Sequence, residues 1–162
     1  MTMEPFYKTP ERRAALIAEA LSWIGTPFRE NCAVKGVDGG VACAQYLAAC
    51  HAAAGACAPI DLPALPVEHV RSWHEHHADS LILEWLGRPE IRGRVRKIDD
   101  GAERMVGDIV VLKIKQTEHH VALWAAPHLL HVAIPAGVVA HSVRDRELLK
   151  DVRCTYRIFG EP

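Results

Sequence analysis

The fold turns on the stretch His119-His120-Val121-Ala122-Leu123-Trp124-Ala125-Ala126-Pro127-His128-Leu129-Leu130-His131-Val132-Ala133. Two apolar, β-prone runs flank a short Ala-Pro break, the pattern of a β-hairpin. If Ala126 and Pro127 alone form the turn, Ala125 pairs with His128 and Ala122 with His131. Residues 120 and 122 share a face, so His131 falls diagonally beside His120, roughly 7–8 Å away by Cα and within reach of a second imidazole. A turn of about four residues keeps that parity, whereas one of about three sets the two rings on opposite faces.

Outward from this hairpin the chain remains strand-like toward its C-terminal end. Short β-rich runs at 95–98, 109–114, 138–142 and 152–159 are separated by turn residues. The N-terminal half reads as helix. Thr9-Pro10-Glu11 combines a hydroxyl cap, a proline in the first turn and an acid near the positive helix end. Leu16, Ile17, Leu21 and Ile24 follow at helical spacing up to Gly25, predicting a helix over 10–24. A second helix is predicted from Cys43 through Tyr46, Leu47 and Cys50 to Gly55. Residues 26–40, with their Gly-rich end, are expected as loop and the proline-punctuated stretch 56–66 as irregular linker. Residues 78–86 suggest a third helix stopped by Gly87 and Pro89. Helices first and adjacent strands afterwards imply a single α+β domain over 1–162, with N-terminal helices packed on a mainly antiparallel sheet of about five or six strands.

Composition narrows the function classes. With 162 residues, 49% of them hydrophobic, the chain can bury one core. Its 19 basic and 20 acidic side chains leave a formal net charge of −1 without a basic stripe, which argues against nucleic acid as a partner. The cluster of arginines between Arg88 and Lys97 reads as a solvated face. No window suggests a membrane span, and the first ten residues lack the form of a secretory signal. The expectation is a protein made in the cytoplasm with no membrane association. Five cysteines, an odd count, fit reduced thiols.

Among those cysteines, Cys43 stands apart. It follows Gly39-Gly40-Val41-Ala42 and opens a predicted helix, where unpaired backbone N–H groups and the helix dipole favour a thiolate. Cys50 and Cys57 read as structural. A thiol at a helix start, with a histidine oriented by a third polar group, is the arrangement that thiol hydrolysis needs. His69, His74, His76 and His77 lack the companion donors of a zinc site, so no metal and no cofactor are expected.

Several of these segments together resemble a family. Ile24-Gly25-Thr26-Pro27-Phe28, Val34-Lys35-Gly36, Gly40-Val41-Ala42-Cys43, Gly107-Asp108-Ile109-Val110, His120-Val121-Ala122-Leu123 and Leu130-His131-Val132 stand in the order seen in papain-like NlpC (NlpC/p-sixty) cysteine peptidases. Trp73-His74-Glu75-His76 is similar to a segment of the subgroup encoded in phage tail clusters. The resemblance implies a cell-wall hydrolase cleaving γ-D-glutamyl-diamino acid bonds of peptidoglycan stem peptides. By that likeness Cys43 is the nucleophile, His120 the base and then acid, and His131 the orienting group. Phe28, Cys32, Trp73 and His119 are then candidates for contacting a stem peptide or muropeptide. Phage tail proteins are further candidate partners, and delivery through a virion or by release to the wall follows from the same likeness. One departure stands out: the family usually carries Asp before the nucleophile, and here the residue is Ala42. That leaves a non-catalytic tail or scaffold protein as the alternative reading, with a thiol-dependent acyltransferase as another.

Overall fold

The computed structural model describes residues 2–59, 83, 86–88, 94–114 and 117–160, with the backbone alone for 114 and 117–119. Helix α1 spans Pro10–Ser22, and the Thr9 side chain accepts from the Arg12 amide at 3.3 Å, as the cap signature predicts. It ends two residues before the predicted stop, because Trp23 turns back to bond Ala20 and Leu21 and Gly25 then adopts a positive φ. Helix α2 spans Cys43–Ala53. The predicted third helix is represented by Leu83 and Leu86, both helical, with the Gly87 amide closing on the Leu83 carbonyl at 3.0 Å.

Two short strands, β1 (Ala33–Val34) and β2 (Gly40–Val41), pair antiparallel inside the stretch expected to be loop. Pairs this short carry no periodicity to detect. They depend on Gly39, where a side chain would run into the Val34 carbonyl. The main sheet holds β3 (Val95–Lys97), β4 (Ile109–Ile114), β5 (Thr117–Ala125), β6 (His128–Ala133), β7 (Gly137–Ser142) and β8 (Val152–Ile158). Its order is β3-β8-β4-β5-β6-β7, antiparallel at every step. A short helix α3, Arg146–Leu149, capped by Asp145, precedes β8.

The sheet has two faces with different covers. Ile109, Val111, Val121, Leu123, Leu130 and Val132 pack with Leu16, Ala20, Tyr46 and Leu47 of the helices in one buried cluster. Val110, Leu112, Ala122 and Leu129 alternate to the other face, under Trp124, Leu148 and Leu149. At roughly 25 cal/mol per Å² of apolar surface, burying each of these large side chains contributes ~1.5–3 kcal/mol. The Ala-rich helix α2 packs on β5, with its first residue, Cys43, at the Val121 amide. Gly137 ties the β6–β7 turn to the Thr26–Pro27 corner: its positive φ and lack of a side chain let the Val138 amide reach the Thr26 carbonyl at 3.0 Å.

Candidate active site

Cys43 is the first residue of α2, and Ala42, the cap residue, offers no side-chain hydrogen bond to the open helix end. The helix amides of Cys43 and Ala44 therefore face the thiol itself. A third amide comes from β5. The Trp124 N–H donates to the Asp108 carbonyl at 2.9 Å, so the even-numbered amides of β5 point toward β4 and Val121 points the other way, toward β6. The described β5–β6 pairs run Ala125↔His128, Trp124↔Leu129 and Leu123↔Leu130, the register predicted from the two-residue turn. Another step would set Ala122 opposite His131, but the ladder stops short of it. Val121 thus turns its amide to the Cys43 sulfur, next to His120.

Electrostatics at Cys43 correct one expectation. Burial is the largest influence and pushes the thiol above its ordinary value, while the amides of Val121, Ala44 and Cys43 pull it down without cancelling that rise. The helix start alone does not yield a thiolate, so the proton must go to a neighbouring base. Cys50, deep in α2, is pushed up to about 12 by burial and by the charge of Glu19, while Tyr46 and Lys35 oppose. None of the five cysteines forms a disulfide, and Cys32, Cys43 and Cys57 keep partial exposure.

The diagonal relation between His120 and His131 holds. His120 Nε2 lies 2.9 Å from His131 Nδ1, with the rings nearly perpendicular and their centroids 5.0 Å apart. His131 is 6% exposed, and burial lowers its pKa to about 4, with the charge of His141 adding to the effect and the Val132 backbone opposing. It is therefore neutral at pH 7 and can accept the Nε2 proton of His120. That leaves His120 Nδ1 as the nitrogen able to exchange a proton with a thiol.

The remaining predicted residues divide into placed and undescribed ones. Phe28 is partly buried against the core and bridges to Val41, one residue before the cap of α2. The Cys32 carbonyl accepts the Ala42 amide at 3.3 Å, which holds the 29–40 segment beside the start of α2. Trp73 and the histidines at 69, 74, 76 and 77 lie outside the described residues, and His119 is described by its backbone alone. Among the described residues, no group of three His, Cys, Asp or Glu side chains is placed to hold a metal ion. No helix among them is long and apolar enough to cross a membrane.

Two further contributors are His141, which the sequence does not single out, and Asp108, which lies in a family-like segment without an assigned role. His141, in β7, stacks on His131 with centroids 4.9 Å apart and planes 29° apart. The β6–β7 register, which sets His131 against Val139, makes His141 the diagonal neighbour, and the signal for it in the sequence is a second hairpin around residues 134–136. Asp108, 1% exposed, receives a two-pronged contact from Arg157 at 2.8 Å on each oxygen and the Met105 amide at 2.8 Å. It clamps the turn before β4, which pairs directly with β5.

The architecture of helices on an antiparallel sheet is found in a known fold. A solved structure described as similar to lipoprotein, NLP/P60 family, from Staphylococcus aureus subsp. aureus Mu50 superposes with a TM-score of 0.61 at 16% sequence identity. The fold is NlpC/P60-like. The match covers 99% of this chain and 46% of that one, so this chain spans about half the length of the Staphylococcus protein. The NlpC/P60-like core thus comprises α1, α2 and the antiparallel sheet, as the sequence resemblance implied. No family model matches the sequence, and neither does any curated protein.

Proposed function

We propose that this chain is a papain-like cysteine hydrolase that cleaves amide bonds of peptidoglycan stem peptides, of the γ-D-glutamyl-diamino acid type. The observation that carries the reading is the 2.9 Å contact between His120 Nε2 and His131 Nδ1, beside a helix-start thiol whose amide partner is the next residue, Val121. The NlpC/P60-like fold supports it, because the same elements carry the cysteine and both histidines in the family the sequence resembles.

In the reaction, His120 Nδ1 takes the Cys43 proton while its Nε2–H donates to His131, and the imidazolium so formed stabilises the thiolate. The sulfur attacks the amide carbonyl carbon. The resulting oxyanion is held by the backbone N–H groups at the start of α2, the source of the largest catalytic contribution in acyl transfer. His120 returns the proton to the leaving amine as the C–N bond breaks, giving a thioester on Cys43. Water then loses a proton to His120, attacks the thioester and releases the γ-glutamyl acid. His131, neutral throughout, fixes the tautomer of His120. Phe28 and the segment around Cys32 border the helix start and form one wall for the peptide; Trp73 and His119 are further contact candidates.

Two observations favour a second reading. The α2 start lacks a side-chain cap and burial raises the Cys43 thiol, which fits a phage-tail or scaffold protein that retains the fold without turnover. Incubation of the purified chain with defined muropeptides, read by mass spectrometry, separates the two. The hydrolase reading expects cleavage that disappears in Cys43→Ala and His120→Ala and persists weakly in His131→Ala. An intact muropeptide after prolonged incubation with the wild type, or turnover by Cys43→Ala, overturns it.

A further inference from the structure

His131 is held unevenly. Its Nδ1 engages His120, yet its Nε2 is buried with no hydrogen-bond partner among the described residues. The torsion that turns a histidine ring is broad and roughly two-fold. Swinging the ring out of its plane about it lifts Nδ1 out of line with His120 Nε2, and His120 then loses its partner. The hydrogen bond to His120 restrains the Nδ1 edge and the Val132 backbone is a further polar contact, but neither fixes the plane of the ring.

We infer that His141 is a positioning residue for this site: its ring, stacked on His131, holds the His131 imidazole in the orientation that offers Nδ1 to His120. The inference deepens the hydrolase reading and rests on it for its catalytic consequence. His131 sits between two rings in different ways, edge-on to His120 at 87° and face to face with His141 at 29°. Stacked contact of this kind fixes a ring plane without demanding a hydrogen bond. His141 itself is anchored from α3. Asp145 uses one carboxylate oxygen to cap that helix, accepting the Glu147 and Leu148 amides at 3.1 and 3.2 Å. Its other oxygen lies 3.6 Å from His141 Nδ1, ion-pair distance when the imidazole is protonated. A line of contacts thus runs from α3 through Asp145, His141 and His131 to His120, and its outer members touch no reacting atom. The logic is that of an outer partner orienting a functional histidine.

Three variants and two readouts test this. His141→Phe keeps a flat ring, His141→Leu keeps apolar cover without a flat face, and His141→Ala removes both. Two-bond ¹H–¹⁵N spectra of the histidine side chains report the His131 tautomer without reference to turnover. Wild type and His141→Phe are expected to show one form with an unprotonated Nδ1, whereas His141→Leu and His141→Ala show mixed or exchange-broadened forms. On the muropeptide substrate, kcat is expected to fall about tenfold in the latter two with KM within about twofold, because misorientation degrades the chemical step more than binding. His141→Phe should stay within about twofold of wild type. An unchanged His131 tautomer in His141→Ala, or a His141→Phe protein that behaves like His141→Ala, overturns the inference. If the wild type cleaves no muropeptide, the hydrolase reading fails and the spectra alone decide the role of His141.

Discussion

Acid should destabilise this protein well before its carboxylates titrate, because two histidines are buried in the neutral form. His51 is 3% exposed, accepts or donates one hydrogen bond with Tyr7 at 2.7 Å, and has its pKa lowered to about 4 by burial. His131 is lowered to about 4 by burial and by His141. Between the ordinary imidazole value near 6.5 and about 4, the unfolded chain holds a proton on each that the native protein does not. Native stability therefore falls as pH drops through this window, by ~1.4 kcal/mol per pH unit for each group. Together they give a slope of ~2.7 kcal/mol per unit, or ~4 kcal/mol between pH 6.5 and 5, against a typical domain stability of ~5–15 kcal/mol. Urea denaturation followed by tryptophan fluorescence at pH 7.5, 6.5, 5.5 and 5.0 measures it. Above pH 7 the stability should level off. His51→Gln, which can still bond the Tyr7 hydroxyl, should lower the slope by about half. Stability at pH 5 within ~1 kcal/mol of that at pH 7.5 would refute the reasoning, since it would mean that neither imidazole resists protonation in the fold.

Other perturbations test separate parts of the structure. Arg157→Leu leaves the buried Asp108 carboxylate without its cation and should cost ~3–5 kcal/mol of stability, measured by the same denaturation, while a cost below ~1 kcal/mol would show that the turn does not depend on the pair. Ala42→Asp supplies the missing cap of α2 and should raise stability by ~0.5–2 kcal/mol while pushing the Cys43 thiol higher still, read by thermal melting and by the pH dependence of thiolate absorbance. Iodoacetamide at neutral pH should label Cys43 ahead of Cys50, and in His120→Ala the Cys43 rate should drop at least about tenfold, because burial disfavours the thiolate unless the imidazole takes its proton. Peptide mapping reads the order, and equal Cys43 labelling in both proteins would separate the thiol from the histidine.

Much of the fold was legible because its signals are local. The cap at Thr9, the terminators Gly25 and Gly55, and the β-rich runs at 109–114 and 129–133 each report a backbone preference that the structure respects. The His120–His131 contact was also legible, since one tight turn fixes the register and the register fixes the face. By contrast, the sequence around β1 and β2 reads as loop, because pairs this short are set by what packs around them and not by periodicity. His141 escaped for a related reason: its meaning comes from a second hairpin laid beside the first.

By itself, then, the sequence determined an α+β chain with a cysteine at a helix start and two histidines on one face of a hairpin, because turns, caps and side-chain alternation are properties of neighbouring residues. Tertiary structure decided how those parts act on one another. It ended the β5–β6 ladder at Leu123↔Leu130, which turns the Val121 amide to Cys43, and it buried Cys43 and His131 enough to raise one pKa and lower the other. Desolvation and through-space contact depend on what lies overhead, and only the folded chain puts α2, β7 and α3 there.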